Sequence, residues 1–158
     1  MNQVEKMENR QENRIAEVEL IYKCKVPYSA RTKISCSKDS YSILLSNWNP
    51  NKIELQEQFK VLLLNRSNAV LGIAEISTGG ITGTVVDIRL ILYTALKANA
   101  TNIIICHNHP SGNLNPSVAD ETITTKIKTA ASFLDIRILD HIILSSEGYF
   151  SFADEGRI

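Results

Sequence analysis

The run Thr101-Asn102-Ile103-Ile104-Ile105-Cys106 leads straight into His107-Asn108-His109-Pro110. Side chains of a strand alternate between its two faces. An apolar run without alternation therefore needs cover on both sides of its sheet. The flanking sequence supplies that cover. Apolar residues at Ile88, Ile91, Leu92, Ala95 and Leu96 recur with helical period and predict a helix over Val85 to Ala98. A second long helix is expected from Ser117 to Phe133, and Ser37 reads as the N-cap of a short one ending near Trp48. Strands are expected over Glu17 to Val26, Gln58 to Leu64, Ala69 to Ser77, Ile136 to Leu144 and Tyr149 to Phe152. Helices and strands alternate without internal repeats, so the expected class is α/β (or α+β) with one mixed sheet.

Composition narrows the function. A chain of 158 residues is long enough for a full core, since about 150 residues bury roughly 70% of the unfolded surface. Lys+Arg and Asp+Glu are balanced at 17 each, which argues against a strongly basic, non-specific nucleic-acid binder. The first 19 residues are polar and charged, unlike a signal peptide, and no apolar run approaches the roughly 20 residues of a membrane span. Cys24, Cys36 and Cys106 include no Cys-x-x-Cys pair, so neither a disulfide framework nor a cysteine zinc knuckle is expected. A reducing cytoplasm is the expected compartment. Residues 1–30 read as a charged tail and a first strand, followed by a folded domain over 31–158.

The chemistry concentrates after the apolar run. His107 and His109 stand at i,i+2, so both imidazoles point to one face, about 7 Å apart at the backbone. Rings of that reach can converge on one ion at metal–nitrogen distances of about 2.0–2.1 Å. Cys106 points to the opposite face and is excluded as a ligand. Pro110 holds His109 extended and ends the strand. The loop returns to a helix capped by Ser117, with Asp120 on its first turn. Two imidazoles and a carboxylate form an incomplete zinc shell that leaves a position for water, as in catalytic sites. Ser117-x-x-Asp120 is also a capping-box spacing that needs no metal, so the histidine pair carries the inference.

His-x-His, seven residues, Ser, two residues, Asp is the signature of the JAMM (MPN+) metallopeptidases, and His107, His109, Ser117 and Asp120 match it. More narrowly, His107-Asn108-His109-Pro110-Ser111-Gly112 with Pro116-Ser117 and Asp120 resembles the RadC family of bacterial JAB-domain proteins. Leu139-Asp140-His141-Ile142-Ile143, Tyr149-Phe150-Ser151 and Arg89 after the Gly-rich loop extend the resemblance to roughly residues 31–152. It implies a JAMM/MPN-type mixed sheet flanked by helices, related to the cytidine deaminase fold. It also implies one Zn²⁺ per chain held by His107, His109 and Asp120. Glu57, just before the strand at Gln58, matches the place of the family's general base, with Glu54 and Glu75 as competitors. Ser117 would donate to the oxyanion. The implied reaction is hydrolysis of a peptide or isopeptide amide in an unidentified peptide or protein substrate.

Other candidates are weaker. His141 is a candidate substrate contact, while Asp140 is expected to start or cap a strand turn. A zinc nucleoside deaminase needs a later Pro-Cys-x-x-Cys, and no cysteine follows Cys106. The letters His-Asn-His match an HNH nuclease only in spelling. The resemblance also carries an association with DNA repair, and hence with repair partners, and the alternative function is a catalytically silent DNA-associated scaffold. Longer family members resemble a helix-hairpin-helix-type region joined to this domain. Only about 30 residues precede the resemblance here, as acidic as they are basic, so direct DNA binding has no support from charge.

Overall fold

Residues 25–80 and 84–158 are described by the computed structural model. Their sheet has five strands in the order β2-β1-β3-β4-β5. β1 (Gln58–Leu64) and β3 (Asn102–Asn108) are buried along their whole lengths, because each has a strand on either side and cover on both faces. β1 pairs antiparallel with both β2 (Val70–Thr78) and β3. β3 runs parallel to β4 (Arg137–Leu144), and the short β5 (Tyr149–Ser151) closes that edge antiparallel to β4. Parallel strands need a long crossover, and the 15-residue α3 (Val118–Ser132) provides it.

The helices divide between the two faces. α2 (Ile88–Lys97) and α3 cover one, where Ile91, Ala95, Ile127 and Ala131 pack on Val61, Leu63, Ile103 and Ile105. α1 (Ser37–Ser46) covers the other, where Leu44 and Trp48 pack on Leu62, Leu64, Ile104 and Cys106. Ile103 and Ile105 thus face one layer, and Ile104 and Cys106 the other, as strand alternation requires. Truncating a fully buried side chain such as Ile105 to Ala is expected to cost about 2–5 kcal/mol.

The class expected from the sequence is the class observed. Several boundaries move. The predicted strand Glu17 to Val26 falls on residues outside the described ones, apart from its last two, which are not in a strand. The cap of α1 is Cys36 rather than Ser37, because the Asp39 carboxylate accepts the backbone N–H groups of Ser35 (2.8 Å) and Cys36 (3.3 Å). α1 stops at Ser46, and Trp48 packs beyond its end. Asp140 lies within β4 instead of starting a turn. It is buried there, accepting from Ser151 Oγ (2.6 Å) and the Ala153 N–H (3.0 Å). Among the described residues, no helix is long and apolar enough to cross a membrane.

Candidate metal centre

β3 runs two residues past its apolar stretch and so carries His107 to the sheet's end, with His109 just beyond. Register sets the neighbours of His107. Phe59 of β1 is paired with it, and Ile105, two residues earlier on the same face, is paired with His141 of β4. The loop after His109 turns at Gly112, whose φ of 76° lies where glycine carries no Cβ penalty. That turn brings the Asn113 carbonyl back onto His109 Nδ1. A carbonyl only accepts, so Nδ1 donates, and Nε2 is left facing inward.

α3 supplies the third group. Ser117 caps the helix and Asp120 completes a capping box: Ser117 gives both its N–H and its hydroxyl proton to Asp120 Oδ2, each at 2.7 Å. Asp120 Oδ1 is left 3.2 Å from His107 Nε2, and Oδ2 lies 3.7 Å from His109 Nε2. The two Nε2 atoms are 2.9 Å apart. One donor atom from each residue falls within 4.8 Å of the others, forming a His₂Asp cluster among the described residues.

The donor set fits a metal ion. Two imidazole nitrogens and a carboxylate oxygen crowded at these distances repel unless a cation, proton or metal, lies among them. The Asp120 carboxylate beside it raises the His109 pKa against the opposing effect of its burial. Burial alone would raise the Asp120 carboxyl, but the His107 and His109 imidazoles set against it, with the Ser117 hydroxyl, hold it well below the usual carboxylate range. Cys106 faces away, and burial pushes its thiol far above its ordinary pKa, which suits packing rather than ligation.

Around the triad is a cleft of about 580 Å³, lined by Glu57, Phe59, Asn113, Ser117 and Ile123 among others. The backbone of Glu57 pairs with Gly79 and Gly80, which extends the β1–β2 ladder by one step and places Glu57 at the His109 end of the site. Its two competitors lie elsewhere. Glu75 is tied to Thr78 Oγ1 (2.6 Å), Gln58 Nε2 (2.9 Å) and Lys60 Nζ (3.7 Å). Glu54 accepts from Ser146 Oγ (3.0 Å) in a second hollow of about 500 Å³, across the His109–Pro110–Ser111 ridge.

His141 cannot contact a substrate directly. Its ring is fully buried behind His107, 2.9 Å from Nδ1, and burial lowers its pKa well below the ordinary value. Asn108 and Thr124 were not singled out from the sequence. Asn108 is fully buried, and its side chain holds the Ile53–Gln58 segment that leads to Glu57. Alternation placed it opposite the two histidines, and that was the available signal.

A mixed sheet covered on both faces, with a His-x-His strand end meeting an Asp on the first turn of the crossover helix, defines an α/β domain with a metal-type triad. The sequence model of the RadC-like JAB domain family matches residues 34–157, and the chain belongs to that family. It is similar to a UPF0758 protein of Flavobacterium johnsoniae, 53% identical over 125 residues, covering 78% of this chain and 53% of that protein. UPF0758 proteins of Porphyromonas gingivalis (45% over 102 residues; 64% and 45% covered) and Clostridium beijerinckii (40% over 126 residues; 80% and 54% covered) are also similar. The chain spans about half the length of these curated relatives.

Proposed function

We propose that this chain is a zinc-dependent amide hydrolase acting on a peptide or protein substrate. The observation that carries the proposal is the convergence of His107 Nε2, His109 Nε2 and the Asp120 carboxylate on the floor of a cleft that Glu57 also lines. A nitrogen-rich set with one carboxylate suits Zn²⁺. His107, His109 and Asp120 would hold the ion, which when bound supplies Lewis acidity and lowers the pKa of water toward about 7.

The chain's own groups would do the remaining work. Glu57 takes the proton of the attacking water and delivers it to the leaving amine, the role of a carboxylate within hydrogen-bond reach of both. Ser117 donates to the developing oxyanion after its hydroxyl rotates off Asp120 Oδ2. Phe59, Val86 and Ile123 give the cleft an apolar wall against which a substrate side chain can lie.

The alternative, a catalytically silent DNA-repair-associated module, is not favoured by the charge of the two hollows. Among the residues lining the two hollows are Glu54, Glu57, Asp120 and Glu147, and no lysine or arginine. Phosphate backbones are bound by the opposite charge.

Metal analysis of the purified chain tests the proposal. About one zinc per chain is expected, lost in His109→Ala and Asp120→Ala. A panel of peptide and isopeptide amides is then screened with Glu57→Gln as control, for which a rate loss of at least about 100-fold is expected. A folded wild type that takes up no zinc on refilling overturns the proposal, and so does a Glu57→Gln variant as active as wild type.

A further inference from the structure

Behind the triad the structure buries polar side chains that the proposed chemistry does not use. His141 lies between Phe152 (ring centroids 4.7 Å) and Phe59 (6.0 Å). Its Nε2 is 2.9 Å from His107 Nδ1, and its Nδ1 is 2.6 Å from Thr124 Oγ1. The Thr124 hydroxyl lies 2.6 Å from the main-chain carbonyl of Asp120, one turn back in α3. The circuit begins and ends on one residue: Asp120 carboxylate, His107, His141, Thr124, Asp120 carbonyl. A third phenyl ring in place of His141 would pack in this layer without needing polar partners at all.

The protons of this circuit can be placed one at a time. The Asp120 carbonyl only accepts, so an oxygen–oxygen contact of 2.6 Å requires the Thr124 proton to lie in it. A hydroxyl has one proton, so Thr124 Oγ1 must accept from His141, and His141 Nδ1 carries the hydrogen. A ring buried among apolar side chains is neutral, with one hydrogen. His141 Nε2 is therefore a bare acceptor, and His107 Nδ1 must donate to it. The reversed circuit would leave two oxygens 2.6 Å apart with no proton between them.

We infer that Thr124 and His141 are positioning residues that lock His107 in its Nδ1–H tautomer, so that the Nε2 lone pair faces His109 and Asp120. The inference rests on the metal-site proposal above and adds the device that keeps one ligand ready. Without the lock, the proton of His107 could occupy Nε2, the position a metal would need. Partners of this kind behind metal-binding histidines typically change affinity by about 10- to 100-fold when removed.

The test uses Thr124→Val, Thr124→Ser, His141→Phe and His107→Ala beside the wild type. Zinc affinity is measured by competition with a chelator, ring-nitrogen protonation in the metal-free protein by NMR, and folding by circular dichroism. The wild-type His107 is expected to carry hydrogen on Nδ1 and none on Nε2. Zinc affinity falls about 10- to 100-fold in Thr124→Val and His141→Phe, and Thr124→Ser retains it. A purely structural role would lower the melting temperature while leaving the affinity of the folded protein and the His107 tautomer unchanged. Unchanged affinity in folded Thr124→Val, or a wild-type His107 protonated on Nε2, overturns the lock and leaves the metal site standing. A wild type that binds zinc no better than His107→Ala overturns both. If Thr124→Val does not fold, the wild-type tautomer decides alone.

Discussion

Asn108 stands between the two histidines in the chain, and strand alternation turns it away from both. Its Oδ1 accepts the Gln58 N–H (2.7 Å), while Nδ2 donates to the carbonyls of Ile53 (2.6 Å) and Gln56 (3.0 Å). All three contacts fall on the segment that delivers Glu57 to the cleft. A buried polar group left without its partner costs about 1–3 kcal/mol. Asn108→Leu strands one N–H and two carbonyls, so a loss of at least about 3 kcal/mol is expected in urea titration. Asn108→Asp keeps the acceptor but sets a second oxygen against the two carbonyls and, when ionised, a buried charge, so it should be destabilised as well, and more so as pH rises. Equal stability of Asn108→Leu and wild type would remove Asn108 as the staple. The same residue marks a limit of sequence reading. His107, His109 and Asp120 could be picked out because a strand's alternation and a helix cap's spacing are local rules. The partners of Asn108 lie up to 55 residues away, and no local rule names them.

α3 and the site share a residue at their junction. Asp120 is the third residue of the helix, where a carboxylate closes the capping box, and it is also the triad's only carboxylate. Its two oxygens divide the duties: Oδ2 accepts from Ser117, and Oδ1 faces His107. The capping-box and metal readings of Ser117-x-x-Asp120 are therefore compatible. Substitutions can separate them. Asp120→Asn keeps a side-chain oxygen for the cap whereas Asp120→Ala loses it, so Asp120→Ala should be the less stable of the two by about 1 kcal/mol. Both should lose the metal. Thermal melts of the metal-free variants check the difference, and equal melting temperatures would show that the cap does not depend on Asp120. Element ends obeyed the same chemistry where the cap was a familiar one, as at Ser117. At α1 serine is the commoner cap residue and points to Ser37, although Cys36-x-x-Asp39 repeats the spacing of Ser117-x-x-Asp120. The strand order was not legible in the sequence. It depends on β1 lying between β2 and β3, and on the parallel pairing that sets His141 beside His107.

At the scale of the whole molecule, the triad ties β3 to α3, so its protonation feeds into global stability. In the metal-free chain, the neighbouring Asp120 carboxylate raises His109 above its ordinary value near about 6.5. The stabilisation it gives is complete below about pH 6.5 and is lost as pH rises through the folded-state value. Asp120 is displaced the other way, so its contribution is present above about pH 3.9 and is lost as pH falls through its own depressed value. Asp140, raised by burial against its bond from Ser151, opposes Asp120 in the acid range, because its contribution fades as pH rises. The acid limb is thus mixed and the alkaline limb is the informative one. With a chelator present, the melting temperature should decline as pH climbs from about 7 to 9. That window lies above the range near 6.5 in which His141, lowered by its burial, gains stability with rising pH and opposes His109. Asp120→Asn should flatten that decline, since it removes the charge that raises His109. With saturating zinc the decline should vanish or reverse, because metal ligands bind best deprotonated and the ion then replaces the proton. A metal-free melting temperature that stays level across this range would mean that the two imidazoles and the carboxylate do not share a proton, and the case for a cation at their centre would lose its physical basis.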